Sequence, residues 1–431
     1  MIAALLIALQ AGAAPDAVAD TIPRVTLAEA LDAAAEVDPS YVAALRDVGD
    51  ADWVRRGAWS TFLLPALDFQ WSWQKFHPEA FNIGTNELTD QLTNFTVSGS
   101  YALFRGGARF FDLSAANAAV DGARASERAA RYQTALQTEA AYYDVIAQRE
   151  LARVTEERVR RAREQLDVAR ARVLSGAAVQ TDSLQLLLEL TRAEVDLLRQ
   201  GSVLTVARIE LGRRVGRTGP VDAAPLDDTA LPEPEITREA VVAEALESSP
   251  PLLAARADRR LADAAFKSER SSAYLPTISL FGQWSGFDER IVPDALKRTT
   301  FGIGISYPIF DHFARELRVY RAATARDIAD VVAADAERET LRAITEAHET
   351  FTTARASTEL AERGVVVATE NLRVQTERYR AGATTIIDLV TAQVDLTEAE
   401  VGLVQARQAT RLALAGLEAI LGRRLADTRE R

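Results

Sequence analysis

The sequence contains two copies of one pattern, and this duplication restricts the possible folds more than any other feature. Matching residues keep their order over about 200 residues per copy. Both copies end in the tetrapeptide Leu-Gly-Arg-Arg, at 211–214 and at 421–424. The chain is therefore expected to fold as two equivalent halves. Other matched positions are Pro39 with Pro250, Leu64 with Leu275, Trp73 with Trp284, Gly176 with Gly382, and Asp182 with Asp388.

The predicted elements follow the same order in both copies: short helices, two strands, one long helix and a returning helix. The first repeat is expected at 20–217 and the second at 236–424, with a proline-rich linker at 218–235 and a tail at 425–431. The strands are predicted at about 65–77, 92–105, 275–287 and 298–310. The long helices are predicted at about 108–174 and 314–380, and the returning helices at about 179–214 and 385–424.

The two long helices are rich in Ala, Glu, Arg and Leu and contain no proline. At 1.5 Å per residue, about 67 residues make a rod of roughly 100 Å. Such a rod must project from the rest of the fold and pack along other helices as a coiled coil, and the returning helices can supply that packing. A soluble coiled-coil scaffold, periplasmic or cytoplasmic, is one alternative. It explains the rods but not the strands.

The four strand segments each have one apolar and one polar face, because apolar and polar residues alternate along them. Their length of about 10 residues crosses a bilayer as a tilted strand. Aromatic residues on the apolar faces suit a lipid-facing surface, and small polar residues on the other faces suit a water-filled lumen. A soluble β-sandwich is the alternative. In the first strand the apolar positions are Leu67, Phe69, Trp71 and Trp73.

Four strands per chain cannot close a membrane barrel, since the smallest examples use about eight. Open sheet edges are not stable in lipid, so several protomers must share one barrel. Three protomers would give a barrel of about twelve strands with three-fold symmetry. The expected fold is thus mainly α, with a membrane β-barrel portion. The polar loops at 77–91 and 288–297 would face outside, and the long helices would point into the periplasm.

Composition and the N-terminus limit the function classes. An apolar run followed by small residues predicts a secretory signal peptide at 1–19, although no Lys or Arg precedes Arg24. An ordinary N-terminal helix is the alternative. A net charge of −12 argues against a nucleic-acid partner. The absence of cysteine excludes disulfides, and the three histidines lie far apart, so we expect no metal site, no cofactor and no enzyme activity.

The ordered set of segments resembles the TolC-type outer-membrane efflux proteins. The resemblance rests on RYRAGATTIIDLVTAQ at 378–393, its counterpart at 172–182, and the strand ends at 101–107 and 307–311. It implies a homotrimer in the outer membrane of a Gram-negative bacterium, with a shared twelve-stranded barrel and an α-barrel tunnel. It also implies a passive exit duct of a tripartite efflux or type I secretion system. Its partners would be outer-membrane lipid, a periplasmic adaptor (membrane fusion) protein and an inner-membrane pump of the RND or ABC type.

The resemblance also assigns roles at the periplasmic end, which would open by an iris-like motion of the helix tips. Asp388 and Thr391 would line the pore constriction, and the family's second acid is replaced at Thr391. Three Asp388 carboxylates would repel one another, which would raise their pKa values and favour cations. The alternative for Asp182 and Asp388 is helix capping. A latch would include Thr181, Asp182, Tyr379 and Thr384, the last in place of the family's arginine, and the adaptor would contact the turns at Gly176, Ala177, Gly382 and Ala383.

Overall fold

The computed structural model describes residues 22–82, 86–226, 237–288 and 296–425. The predicted signal peptide, part of the linker and nearly all of the tail lie outside these ranges. The first repeat consists of β1 Arg24–Val25, α1 Leu27–Val37, α2 Pro39–Leu63, β2 Ala66–Asn82, β3 Glu87–Arg105, α3 Ala108–Leu174 and α4 Gln180–Arg214. The second consists of β4 Asp222–Ala223, α5 Arg238–Ser248, α6 Pro250–Tyr274, β5 Thr277–Asp288, β6 Leu296–Ser306, α7 Ala314–Arg380 and α8 Ile386–Leu421.

The long helices α3 and α7 have the bounds that the sequence pattern predicts, and each contains 67 residues. Each folds back at its end into a hairpin, α3 with α4 and α7 with α8. The two hairpins meet along α3 and α8. Helix α6 packs against both α3 and α7. None of the described helices combines the length and the hydropathy of a helix that crosses a membrane.

The four long strands form one antiparallel sheet in the order β2-β3-β5-β6. The central pair joins the two repeats, for example through Val97 opposite Trp284. β2 and β6 each pair on one side only within the described sheet. The apolar face of the sheet is not covered by this chain, because Phe69 is 69% and Phe301 80% exposed. The soluble sandwich would bury these side chains, and the structure has no second sheet against them in its described part.

The first strand pair is longer than predicted. β2 continues to Asn82 and β3 begins at Glu87, so most of the expected loop at 77–91 is strand. The pairing passes through a register shift between Lys75 and Ala80, which interrupts the alternation, so the sequence pattern no longer marks a strand there. β6 instead ends at Ser306, four residues before the predicted end, because Pro308 cannot donate a ladder hydrogen bond.

The predicted linker begins with a buried segment rather than a free extended one. β4 pairs in parallel with β1, so that Asp222 lies opposite Arg24. Val221 and Ala223 are buried in a core with Tyr142 and other apolar residues. Asp222 accepts hydrogen bonds from Arg208 at 3.2 and 3.3 Å. Two-residue strands leave no periodicity in a sequence, which is why this contact between distant segments was not predicted.

Candidate gate at the hairpin tips

The tips of the two hairpins have the same backbone geometry. Gly176 and Gly382 end the long helices in the left-handed region, with φ of 77° and 74°. The next amide in each turn, of Ala177 or Ala383, donates to a carbonyl five residues earlier at 2.8 Å. These four turn residues are exposed. The duplicated sequence therefore folds into two matching turns, as the pattern of glycines predicts.

The turn of the second repeat engages Asp388 in its own helix. Asp388 Oδ2 accepts from the hydroxyls of Thr384 and Thr385, each at 2.7 Å, and from the Thr385 amide at 3.1 Å. The Asp388 amide donates back to Thr385 Oγ1, which completes a capping box. Hydrogen bonds from Thr385 and then Thr384 lower the pKa of Asp388. Within one protomer this direction is opposite to the rise that we expected from three facing carboxylates.

The turn of the first repeat leaves Asp182 without such a role. The residue before α4 is Val179, which has no side-chain acceptor, so no capping box forms. Asp182 lies instead near Tyr379 of the second repeat. Burial of the tyrosine and then the negative charge of Asp182 raise the pKa of Tyr379. The Tyr379 hydroxyl is buried and makes no hydrogen bond to the described residues.

One side chain connects the two tips directly. Arg172, in the last turn of α3, donates to the Tyr379 carbonyl oxygen. It also donates to the Ala177 carbonyl of its own turn at 3.3 Å. Its guanidinium carbon lies 4.5 Å from the centre of the Tyr379 ring, which is a cation–π contact. Sequence reasoning missed this residue, although an arginine precedes the turn glycine by four positions in both repeats, at Arg172 and Arg378.

The structure thus brings together some of the predicted latch residues and separates others. Asp182 and Tyr379 are neighbours across the repeats. Thr384 is directed to Asp388 of its own turn and does not reach the first hairpin. Thr181 is exposed and makes no side-chain hydrogen bond among the described residues. Thr391 is exposed one turn after Asp388 on α8.

Farther from the turns, polar side chains join the two hairpins along α3 and α8. Gln165 of α3 and Gln393 of α8 are buried and hydrogen-bonded to each other. Farther along, Arg161 donates to both carboxylate oxygens of Glu400 at 2.9 and 3.3 Å. Around these contacts lies an apolar cluster. Among the described residues, no group of three or more His, Asp or Glu side chains could hold a metal ion.

Comparison with known families decides what this architecture is. The outer membrane efflux protein family matches residues 60–217 and 241–423, one segment in each repeat. The chain belongs to this family. It is therefore part of an outer-membrane efflux duct that extends into the periplasm, and as such a passive channel rather than an enzyme. Membership excludes the soluble scaffold alternative.

Solved structures of membrane channels have the same fold. CusC matches with a TM-score of 0.78 at 15% identity, over 93% of both chains. The outer-membrane channel CmeC of Campylobacter jejuni matches with a TM-score of 0.78 at 17% identity, over 92% of this chain and 85% of its own. The open state of MtrE from Neisseria gonorrhoeae matches at 0.75 and 20% identity, over 93% and 89%. A search of curated proteins gives no match.

Proposed function

We propose that three copies of this efflux protein form one duct and that movement of the hairpin tips opens its periplasmic end like an iris. The main support is the sheet, whose edge strands β2 and β6 are paired on one side only. A neighbouring copy can pair with each edge, and three copies close a barrel of about twelve strands. Helices α4 and α7 also have exposed apolar side chains that a neighbouring copy can cover. These residues include Leu184, Leu188 and Leu198 on α4 and Leu360, Val366 and Val367 on α7.

The partners of the duct are proposed from the exposed turns. Gly176, Ala177, Gly382 and Ala383 form the far ends of the hairpins, where a periplasmic adaptor can reach them. The adaptor would join the duct to an inner-membrane pump of the RND or ABC type, in a tripartite efflux or type I secretion system. Because the chain has no cysteine, a single cysteine at Ala177 or Ala383 is a unique cross-linking site. Cross-links to the adaptor from both turns, but none from an exposed mid-helix position such as Glu359, support this docking. Equal cross-linking from all three positions contradicts it.

The assembly is tested by mass measurement in detergent and by conductance in planar bilayers. We expect three protomers per particle and a pore. A stable monomer that conducts would contradict the argument from open edges, since one protomer provides only four long strands.

The constriction is proposed at Asp388, with Thr391 one turn further along α8. Three-fold symmetry would place three copies of each around the axis, and a ring of acids favours cations. Because Asp388 also caps its helix, its charge and its hydrogen bonds must be tested separately. Asp388→Asn removes the charge but keeps an oxygen for Thr384 and Thr385, whereas Thr385→Ala breaks the capping box and keeps the charge.

We expect Asp388→Asn to lose cation selectivity and block by multivalent cations, and Thr385→Ala to retain both. If Asp388→Asn conducts and is blocked as the unmodified protein is, the carboxylate does not line the constriction and serves only the helix.

The latch is tested with Tyr379→Leu, which removes the ring that Asp182 and Arg172 approach and is expected to raise the open probability.

A further inference from the structure

The contact of Arg172 with the second repeat carries an inference beyond the roles assigned above. We propose that Arg172 is the clamp that holds the two hairpin tips of a protomer together and thereby keeps the periplasmic end closed. The proposal rests on the proposed gating function. It assigns the closing cation to the first repeat, whereas the second repeat has the neutral Thr384 at the position that we compared with a latch arginine.

The guanidinium lies where two helices end. Arg172 belongs to the last turn of α3, and Tyr379 to the last turn of α7. The carbonyl oxygens at a helix C-terminus lack helical partners and carry partial negative charge, which a cation stabilises. Arg172 donates to the carbonyl of Tyr379 with one nitrogen and to the carbonyl of Ala177 with the other. One side chain therefore serves the ends of both helices.

The surroundings hold the guanidinium against the second tip. Its central carbon lies over the ring of Tyr379, a residue that is only 3% exposed. Gly382 of the second turn is also close, since a Cβ added there would be 3.6 Å from Arg172 Nη2. A lysine could place a charge here but could not donate from a planar fork to two carbonyls. The site therefore uses the geometry of arginine as well as its charge.

The matching arginine of the second repeat shows that this contact is specific to one repeat. Arg378 reaches the carbonyl of Ala383 in its own turn at 3.4 Å, as Arg172 reaches Ala177. Within the described residues of the protomer it has no contact that corresponds to the bond with Tyr379. The bond within the turn is thus common to both repeats, whereas of the two matching arginines only Arg172 makes a bond between the tips in the described residues.

The clamp predicts that the tips separate when the guanidinium is removed. In Arg172→Met we expect the open probability in planar bilayers, measured without partners, to rise about ten-fold, which corresponds to the loss of charged hydrogen bonds. Spin labels at Asp167→Cys on α3 and Glu370→Cys on α7, both exposed, should report a longer and broader distance distribution. Arg172→Lys should give an intermediate result and keeps the proposal testable if Arg172→Met does not fold.

Two matched variants decide the cause. Arg170→Met removes an exposed arginine of the same helix, whose ion pair is with Asp167 of that helix at 3.9 Å. This variant should leave both measurements unchanged. Arg378→Met removes the bond within the other turn and should have a smaller effect than Arg172→Met. The clamp is refuted if Arg172→Met matches Arg170→Met in label distances, or if Arg378→Met separates the tips equally. The label distances can be measured without conduction. If the protein forms no pore but Arg172→Met still separates the tips, the proposed function is wrong and the clamp remains supported.

Discussion

The two repeats end in the same four residues, yet the last arginine of each has a different environment. Arg214 is surrounded by partly exposed groups: it donates to Gln137 at 2.6 Å and lies 3.9 Å from Asp38. Arg424 lies between two carboxylates that are almost fully buried, Glu139 of α3 and Glu418 of α8. The Glu418 carboxylate also accepts from the Leu425 amide at 2.8 Å.

The environments differ because Arg424 lies at the contact between the two repeats and Arg214 does not. Arg214 stays within the first repeat, whereas Arg424 fixes the end of the second repeat to α3 of the first. The hairpin tips differ in the same manner, since Asp388 caps its own helix and Asp182 faces the other repeat. Duplication thus preserves the backbone, and the contacts between the copies determine what a repeated side chain does.

The largest expected difference concerns these two arginines. Arg424→Met removes the cation that lies between two buried carboxylates and should destabilise the protein by about 3 to 5 kcal/mol. Arg214→Met, at the matching position, should cost about 1 kcal/mol, because its partners can bind water. Chemical unfolding of the detergent-solubilised protein compares the two. Equal losses would mean that the seam between the repeats adds nothing to the role of this arginine.

The pH dependence of stability is the next effect. Burial raises the pKa of Glu139, and Arg424 only partly opposes this. A carboxyl group whose pKa is raised on folding adds stability below its unfolded pKa, and this contribution is lost as pH rises through the folded value. We expect unfolding free energies measured from about pH 4 to pH 7 to fall less with pH in Glu139→Gln than in the unmodified protein. The exposed Glu164→Gln is the control and should not change the slope.

The smallest expected effect comes from exchanging the turns. Val179→Thr gives the first repeat the capping residue of the second and places Asp182 where Asp388 stands in the capping box. The start of α4 should gain up to about 1 kcal/mol. Hydrogen exchange of the amides at 180–183 should slow, while Thr385→Ala should speed exchange at 386–389. Unchanged exchange in Val179→Thr would show that the N-cap residue alone does not determine how stable the first turn of each returning helix is.

Local patterns made much of the fold predictable. The bounds of α3 and α7 follow from composition and from the turn glycines, and the four strands follow from alternation. The outer end of the β2–β3 pair was missed because the register shift between Lys75 and Ala80 interrupts the alternation. Helix capping by Asp388, one of the two interpretations of this residue, followed from its place just after the turn, and the structure forms that cap. The contacts of Arg172 and Arg424 were not predictable, because residues 207 and 285 positions apart meet only through the packing of the two repeats.

The unequal strand pairs have a consequence for the outline of the duct at the cell surface. β2 and β3 contain 17 and 19 residues, whereas β5 and β6 contain 12 and 11. β3 continues six residues beyond Thr93, the partner of the last β5 residue Asp288, and at about 3.3 Å per residue this adds roughly 20 Å along the strand. In a trimer, the described strands of the first pair would thus form three ridges, one from each first repeat. A periplasmic partner would instead meet six hairpins with matching turns.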